Sequence, residues 1–463
     1  MDKKQVVVIG AGPAGIYSTH FLKEHGVDVI CLEASDKVGG RASAYVKDGF
    51  LCETGAVAME PQWKMTRKLL NDTGMINQFH FPDRIRMGFW RKNRWNLVGM
   101  GSLADQLRWL PSTLSFQGVP AGVIPGAIKF FSSVSKELKK ITPEHAAENN
   151  FDDLHDLGDI SISDYVNAHG GQIVDDYLSG PMIAWMMCGD SKDVCITHLI
   201  ALFFDIIQGQ KHKSQGASFF GTMEHGLYSF FKATYEMEKE SYLLSTPVDR
   251  IVIEKGKVKG VESRIGLIEA DHVICATTSS KVLKILPDAP LAIQAMLKNI
   301  KYAKTYNVMI GDQTRFTPDS FLGGMFPRTN PAPMFRSMFN SGVSSKSSTP
   351  NGGDLIHCYT SYAYDETFGK MSEIEFQKFI ITQIRKYFPK LPDQPELFEV
   401  VRQEEAICLD APGQMNAVYD YEKNHLNDVH GLNLAAEYMY PIASTEGAMI
   451  SANRTVNRLL KQL

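Results

Sequence analysis

Residues Gln5 to Ile9 form a short, almost wholly apolar run, the pattern of a strand buried on both faces. From Pro13 to about Glu24 the apolar positions recur with helical spacing. Val27 to Leu32 reads as a second strand, giving strand, helix, strand. Further along, Ser245 to Ser263 ("STPVDRIVIEKGKVKGVES") reads as two strands joined by a turn near Gly256. Glu269 to Thr278 ("EADHVICATT") reads as a third strand, ending at Ala276 and Thr277. Tyr302 to Ile310, Leu355 to Tyr362 and Leu397 to Leu409 are predicted as strands of an antiparallel sheet. Ser102 to Gln210 is dominated by helical periodicity, with an acidic, turn-like stretch from Asn149 to Asp159. Ser341 to Gly353 ("SGVSSKSSTPNGG") has the composition of a loop. The chain closes on "GLNLAAEYMYPIASTEGAMISANRTVNRLL": an apolar strand, a loop, and a helix that Ser444 or Thr445 can cap.

The first strand–helix junction carries chemistry. Gly10, Gly12 and Gly15 stand in G-x-G-x-x-G spacing. Gly10 serves the tight turn, Gly12 lets backbone approach a pyrophosphate, and Gly15 lets helix pack on strand. The helix then points unpaired N–H groups and a partial positive charge at the phosphates. Glu33 ends the second strand, where an acid holds a ribose hydroxyl pair and its charge repels a 2′-phosphate. A second cluster, Gly39, Gly40 and Arg41, offers close approach from the other side of a diphosphate and a planar, multidentate cation.

An acid, a short spacer and then G-G-R resembles the signature of the superfamily of FAD-dependent amine oxidases, protoporphyrinogen oxidases and phytoene desaturases. The C-terminal segment, with its Ala435-Ala436-Glu437 step and later E-G-A, resembles that superfamily's closing motif, although many members carry glycine where Ala436 stands. The resemblance covers both ends of the chain and Ser245 to Ser279, and is looser between them. It implies an α/β (α+β overall) fold in which a Rossmann-like FAD-binding domain is formed by residues 1–75, 215–285 and 420–463. A substrate domain of mixed or antiparallel sheet plus helices, residues 76–214 and 286–419, is interleaved with it, with a helical cap at about 102–210. It further implies non-covalent FAD, held by Gly10, Gly12, Pro13, Ala14, Gly15, Glu33, Ala34, Gly40, Arg41, Gly55, Ala56 and Val57. Val248 would hold adenine through its backbone, and Ala276 would lie near the nucleotide. Glu437 would reach the ribityl chain or pyrophosphate. Glu446, Gly447, Ala448 and Met449 would open the last helix beneath the flavin, where a helix N-terminus stabilises the charge of the reduced ring.

Composition narrows the remaining choices. The 463 residues carry charges of both signs and a net charge of −4, without the basic stripe of a nucleic-acid binder. Seven scattered cysteines (Cys31, Cys52, Cys188, Cys195, Cys275, Cys358, Cys408) include no C-x-x-C pair, so no metal site is expected. An apolar strand follows Met1-Asp2-Lys3-Lys4 directly, leaving no signal-peptide pattern, and a cytoplasmic location is expected. Phe116 to Phe131 is broken by Pro120 and Pro125, and Ile196 to Ile207 is short and holds Asp205, so neither reads as a membrane span. Val119 to Phe131, flanked by Lys136, Lys139 and Lys140, is a candidate for peripheral membrane contact, against the competing reading of a buried helix and loop.

The resemblance implies an FAD-dependent oxidase or dehydrogenase. It would take a hydride from a C–N or C–C bond of a hydrophobic small molecule onto flavin N5, and pass electrons to oxygen or another acceptor. Lys304 matches the place of a lysine that many amine oxidases keep near N5, and Lys301 competes for that role. Where relatives with an aromatic cage carry tyrosine or tryptophan, this chain has Ala443-Ser444-Thr445, which speaks against a simple primary amine. Tyr438 and Tyr440 are near but out of register. Cys408 lies where some relatives attach flavin covalently, yet its neighbours "AICLDAPG" do not match. No Ser–His–Asp or Cys–His arrangement is legible. Trp90, Trp95, Trp185, Met182, Met186, Met187, Met325, Phe326, Met334, Phe335 and Met338 are candidates for an apolar pocket, with plain core as the alternative. A desaturase or porphyrinogen-oxidase-like enzyme acting on a large lipid or tetrapyrrole is the second reading. A non-catalytic escort of the GDP-dissociation-inhibitor kind is the third.

Overall fold

The computed structural model describes residues 4–60, 63–80, 82, 84–100, 118–148, 150–211, 221–329 and 333–463. Two seven-stranded sheets are drawn from interleaved stretches of chain. In the first, Lys4–Ile9 lies parallel between Val29–Leu32 and the second half of Gly266–Cys275. Tyr242–Leu243 and Leu432–Leu434 extend it, also parallel. The first half of Gly266–Cys275 leaves this layer and pairs antiparallel with Lys257–Ser263, which pairs in turn with Val248–Glu254. Val7 and Ile9 enter one hydrophobic core, Val6 and Val8 another. Both faces of the first strand are therefore covered, which is why its apolar run does not alternate. The helix Pro13–Glu24 packs against the terminal helix Thr445–Leu460, so the two ends of the chain meet beside this sheet.

The second sheet runs in the order Leu397–Cys408, Tyr302–Asp312, Asp354–Thr360, Phe335–Asn340, Phe321–Met325, Arg86–Arg91, Arg94–Gly99. It is antiparallel except where Phe321–Met325 meets Arg86–Arg91. The strand expected to reach Tyr362 stops at Thr360, because Ser361 accepts a hydrogen bond from the Ala363 N–H at 3.4 Å and starts a tight turn. Ser341 to Gly353 is not an open loop. It coils into short helical turns whose small side chains (Ser341, Ser344, Ser345, Ser348 and Thr349) are buried.

Between residues 118 and 211 the described chain is mainly helical, with Val123–Leu138, Ile162–His169, Gly180–Met187 and Ile196–Lys211 as its main members. The stretch 101–117, part of the expected cap and of the Phe116 to Phe131 run, lies outside the described residues, as does Asn149. Asp152–Leu157 is a 3-10 helix rather than an irregular turn. Ile196, Leu199, Ile200, Ala201 and Leu202 are buried, so that apolar run is a core helix. Val123–Leu138 buries Val123, Phe130 and Val134 but leaves Ile128 66% and Phe131 44% exposed. Among the described residues, no helix is long and apolar enough to cross a membrane.

Candidate cofactor and substrate site

Gly10 adopts φ +97°, and a Cβ there would lie 2.8 Å from the Ala276 carbonyl oxygen, so the turn closes directly on the neighbouring strand. Around Gly12 the situation is opposite: nothing lies within 4 Å of an added Cβ. That open space is what backbone approach to a diphosphate requires. Pro13 starts the helix, as a residue without an N–H does readily. Glu33 organises this turn from the next strand. Its Oε2 accepts from the Ala11 N–H at 2.7 Å, and its Oε1 accepts from the Ser35 N–H and Oγ, both at 2.9 Å. The Glu33 carbonyl accepts from the Thr246 N–H at 2.7 Å, which ties the segment leading to Val248 beside it.

The second glycine cluster folds onto the first. The Gly39 N–H donates to the Ala11 carbonyl at 2.8 Å, and Gly40 sits at φ +51° with a would-be Cβ 3.3 Å from Gly12 Cα. Arg41 then donates from Nη2 to Glu437 Oε1 at 2.5 Å and from Nη1 to the Glu405 carbonyl at 3.4 Å, with its guanidinium 5.7 Å from the Tyr302 ring centre. Burial alone would lower the Arg41 pKa, but the Glu437 carboxylate outweighs it and raises it.

These residues wall a cavity of about 630 Å³, a size typical of ligand sites. Gly10, Gly12, Pro13, Ala14, Glu33, Gly40, Arg41, Gly55, Ala56, Val57, Ala276, Glu437 and Ala448 all reach its wall. Gly15, Ala34, Val248, Glu446, Gly447 and Met449 stand off it. Gly15 has a packing task, since a Cβ there would lie 1.7 Å from the Gly10 carbonyl oxygen. Ser444 is the cap of the last helix, accepting from the Gly447 N–H at 2.9 Å, and Ser444, Thr445 and Ala448 present that helix's first turn to the cavity.

The structure turns Glu446 away from the cavity. Its carboxylate accepts from the Met65 N–H at 2.7 Å, the Thr66 N–H at 2.9 Å and the Thr66 hydroxyl at 2.8 Å, satisfying the N-terminus of the helix Lys64–Asp72. Lys304 does not reach the cavity wall either. A bulge between Ala303 and Thr305 and the alternation of the strand bring Thr305 to the cavity wall. Lys304 is left 55% exposed on the other face, paired with Glu404 at 3.2 Å. Lys301 is exposed too. Cys408 is buried off the wall, with Gln414 Nε2 at 3.2 Å from its sulfur, and burial pushes its thiol far up.

Apolar side chains complete the wall: Trp185, Met186, Met187, Phe339, Tyr359, Ile407, Ile442 and Ala443. Of the apolar candidates, only Trp185, Met186 and Met187 reach it. Trp90, Trp95, Phe326 and Phe335 pack with Tyr387 and Phe388, mostly edge to face, in the core behind the second sheet. Met182, Met325, Met334 and Met338 lie off the wall. One polar feature here was not anticipated: His198 Nδ1 lies 2.7 Å from Asp410 Oδ2, both side chains fully buried. The signals were a single histidine inside the apolar run "ITHLIALFF" and an aspartate just beyond a strand, but they are 212 residues apart.

A phosphate turn with open space before Gly12, an acid at the ribose position, an Arg41–Glu437 pair and a helix N-terminus converge on one cavity whose wall apolar side chains complete. FAD fits these residues, and together the fold and site define an FAD-binding protein. The chain belongs to the flavin containing amine oxidoreductase family, whose model matches residues 13–460. It is similar to an L-amino acid oxidase of Cerastes cerastes, 23% identical over 339 residues, covering 70% of this chain and 60% of that protein. It is also similar to protoporphyrinogen oxidase 2 of Arabidopsis thaliana, 25% identical over 195 residues, covering 42% of this chain and 35% of that one. The chain thus spans at most about three fifths of the length of these curated relatives. The solved structure of cyclohexylamine oxidase from Brevibacterium oxydans shares the fold, with a TM-score of 0.70 at 14% identity over 100% of this chain and 99% of that one.

Proposed function

We propose that the chain oxidises a hydrophobic small molecule without a carboxylate, at a C–N or C–C bond. The observation that supports this is that Glu33 and Arg41 wall the same cavity as Trp185, Met187, Tyr359 and Ile442. FAD, when bound, supplies a hydride acceptor at N5. Glu33 is suited to hold the ribose, and the Gly10–Gly15 turn with Arg41 the diphosphate. The first turn of the last helix suits the electron-rich edge of the ring, and the apolar wall excludes water from the reacting carbon. Among the described wall residues the cations are Arg41, already paired with Glu437, and Lys281, beside Thr277 and Thr278 at the nucleotide end. Among the described wall residues no further Lys or Arg stands ready to pair with a substrate carboxylate. The seven cysteines are buried and unpaired, which supports a reducing compartment.

The test is anaerobic bleaching of the bound flavin by a panel of apolar amines, L-amino acids, imines, carotenoid precursors and porphyrinogens. Bleaching by an apolar compound lacking a carboxylate is expected, with oxygen consumption showing whether oxygen is the acceptor. Bleaching by L-amino acids alone, or by porphyrinogens alone, would overturn this reading.

A further inference from the structure

His198 lies in the first turn of the helix Ile196–Lys211, and Asp410 two residues beyond the strand Leu397–Cys408. Tertiary packing brings them together beside the cavity. Asp410 is surrounded by donors. Oδ2 accepts from His198 Nδ1 at 2.7 Å and from the Ala443 N–H at 3.0 Å, while Oδ1 accepts from Gln414 Nε2 at 3.3 Å. Burial pushes the Asp410 pKa up, but these donors pull against it. A carboxyl ringed by N–H groups serves as an acceptor, so the shared proton belongs to Nδ1 and Nε2 carries a bare lone pair. Nε2 is buried without a hydrogen-bond partner, and His198 is among the residues that line the cavity, as are Trp185, Met187, Cys188 and Tyr359. Leaving such an acceptor unpaired in an apolar setting costs free energy. A donor that arrives with a ligand removes that cost.

We propose that His198 is a catalytic base whose Nε2 takes the proton from the ammonium of an apolar amine substrate, with Asp410 as the positioning residue. This rests on the reading of the cavity as the site of flavin-dependent oxidation, and narrows it to C–N bonds. The ammonium N–H bond breaks, its proton goes to Nε2, and its electron pair stays on nitrogen. Bound FAD would accept the α hydrogen of the neutral amine, with its electron pair, at N5 as a C=N bond forms. The amine would lose two electrons, which FAD would hold until oxygen or another acceptor takes them. The imidazolium, neutralised by Asp410, returns its proton to solvent. Two other carboxyls are raised by burial toward neutral pH, Asp205 on the same helix (to about 7) and Glu53 (to about 8), so the pH limb of the rate is assigned by its loss in the His198 variants. Burial raises the thiols of Cys188 (to about 12), Cys195 and Cys408, and the phenol of Tyr359.

Two measurements on the FAD-loaded protein test this. The first needs no substrate: ¹⁵N-histidine NMR, with the His198 signal assigned by its loss in H198Q. A proton on Nδ1 and a bare Nε2 are expected, with that preference lost in D410N. A proton resting on Nε2 overturns the proposal. The second is stopped-flow anaerobic reduction by benzylamine and N-methylbenzylamine. The wild-type rate should rise along one pH limb. H198A, still loaded with FAD, should be slower by about 10²–10⁴-fold, lose the limb, and be partly rescued by added imidazole. H198Q serves if H198A does not retain FAD. Wild-type rate and pH limb in either variant overturn the base. Reduction of wild type by porphyrinogens or carotenoid precursors but by neither amine overturns the amine assignment. If no compound at all bleaches wild type, it is the oxidation reading itself that fails.

Discussion

Glu446 and Thr66, 380 residues apart in sequence, are joined by two hydrogen bonds to one carboxylate oxygen: the Thr66 N–H at 2.9 Å and its hydroxyl at 2.8 Å. With the Met65 N–H on the other oxygen, the terminal helix pins the start of the helix Lys64–Asp72. E446A would leave these donors unmet in a buried place, at a cost on the order of 2–3 kcal/mol. The urea midpoint should fall clearly, with a smaller fall for E446Q, which keeps one acceptor oxygen. FAD affinity of the folded variant should change little. Unchanged stability with lost FAD would show that the carboxylate serves the flavin instead.

Glu33 is expected to matter for loading rather than for turnover. E33A removes a charged acceptor at the ribose position and also frees the Ala11 N–H of the phosphate turn. A charged hydrogen bond of about 1.5–3 kcal/mol corresponds to roughly ten- to hundredfold in affinity. Titration of apoprotein with FAD measures it. A variant that loads fully at low FAD but turns over nothing would remove Glu33 from the ribose site.

Lys304 should be dispensable. K304M breaks an exposed ion pair with Glu404, a type of contact worth little. Both half-reactions should keep their rates in stopped flow. A selective slowing of reoxidation would place Lys304 nearer the flavin than its strand face allows.

The flavin should be releasable. Cys408 is fully buried, away from the cavity wall, and its thiol is held protonated. Acid precipitation should leave all yellow colour in the supernatant; colour in the pellet would reopen the covalent link.

His20 sets a pH dependence of stability. Its Nδ1 lies 2.8 Å from Glu238 Oε1 and its Nε2 3.1 Å from Asp72 Oδ2, an arrangement that asks for a proton on both nitrogens. Burial works against the imidazolium, but Glu238, Asp72 and Glu24 outweigh it and raise the pKa above its ordinary 6.5. The stabilisation is therefore fully present below about pH 6.5 and is lost as pH rises through the higher folded-state value. Thermal midpoints across pH 5.5–9 should fall for wild type relative to H20Q, whose profile lacks this component. Parallel profiles would show that His20 is neutral in the folded protein.

What the sequence by itself determined is local in origin. The Gly10–Gly15 turn, Glu33, the G-G-R step and the capped terminal helix are short-range patterns, because turn geometry, helix termini and close backbone approach are decided within a few residues. The parallel sheet was legible for a similar reason, since burial on both faces writes a continuous apolar run. Tertiary structure alone decided which side chains share the cavity. A bulge chose Thr305 over Lys304, and helix packing turned Glu446 onto Thr66. Packing also sent Trp95 and Phe335 to the core while Trp185 reached the wall. It placed His198 against Asp410 across 212 residues. Periodicity says that a face is buried but not what it is buried against, and a polar pair formed across such a distance leaves no spacing for a sequence to show.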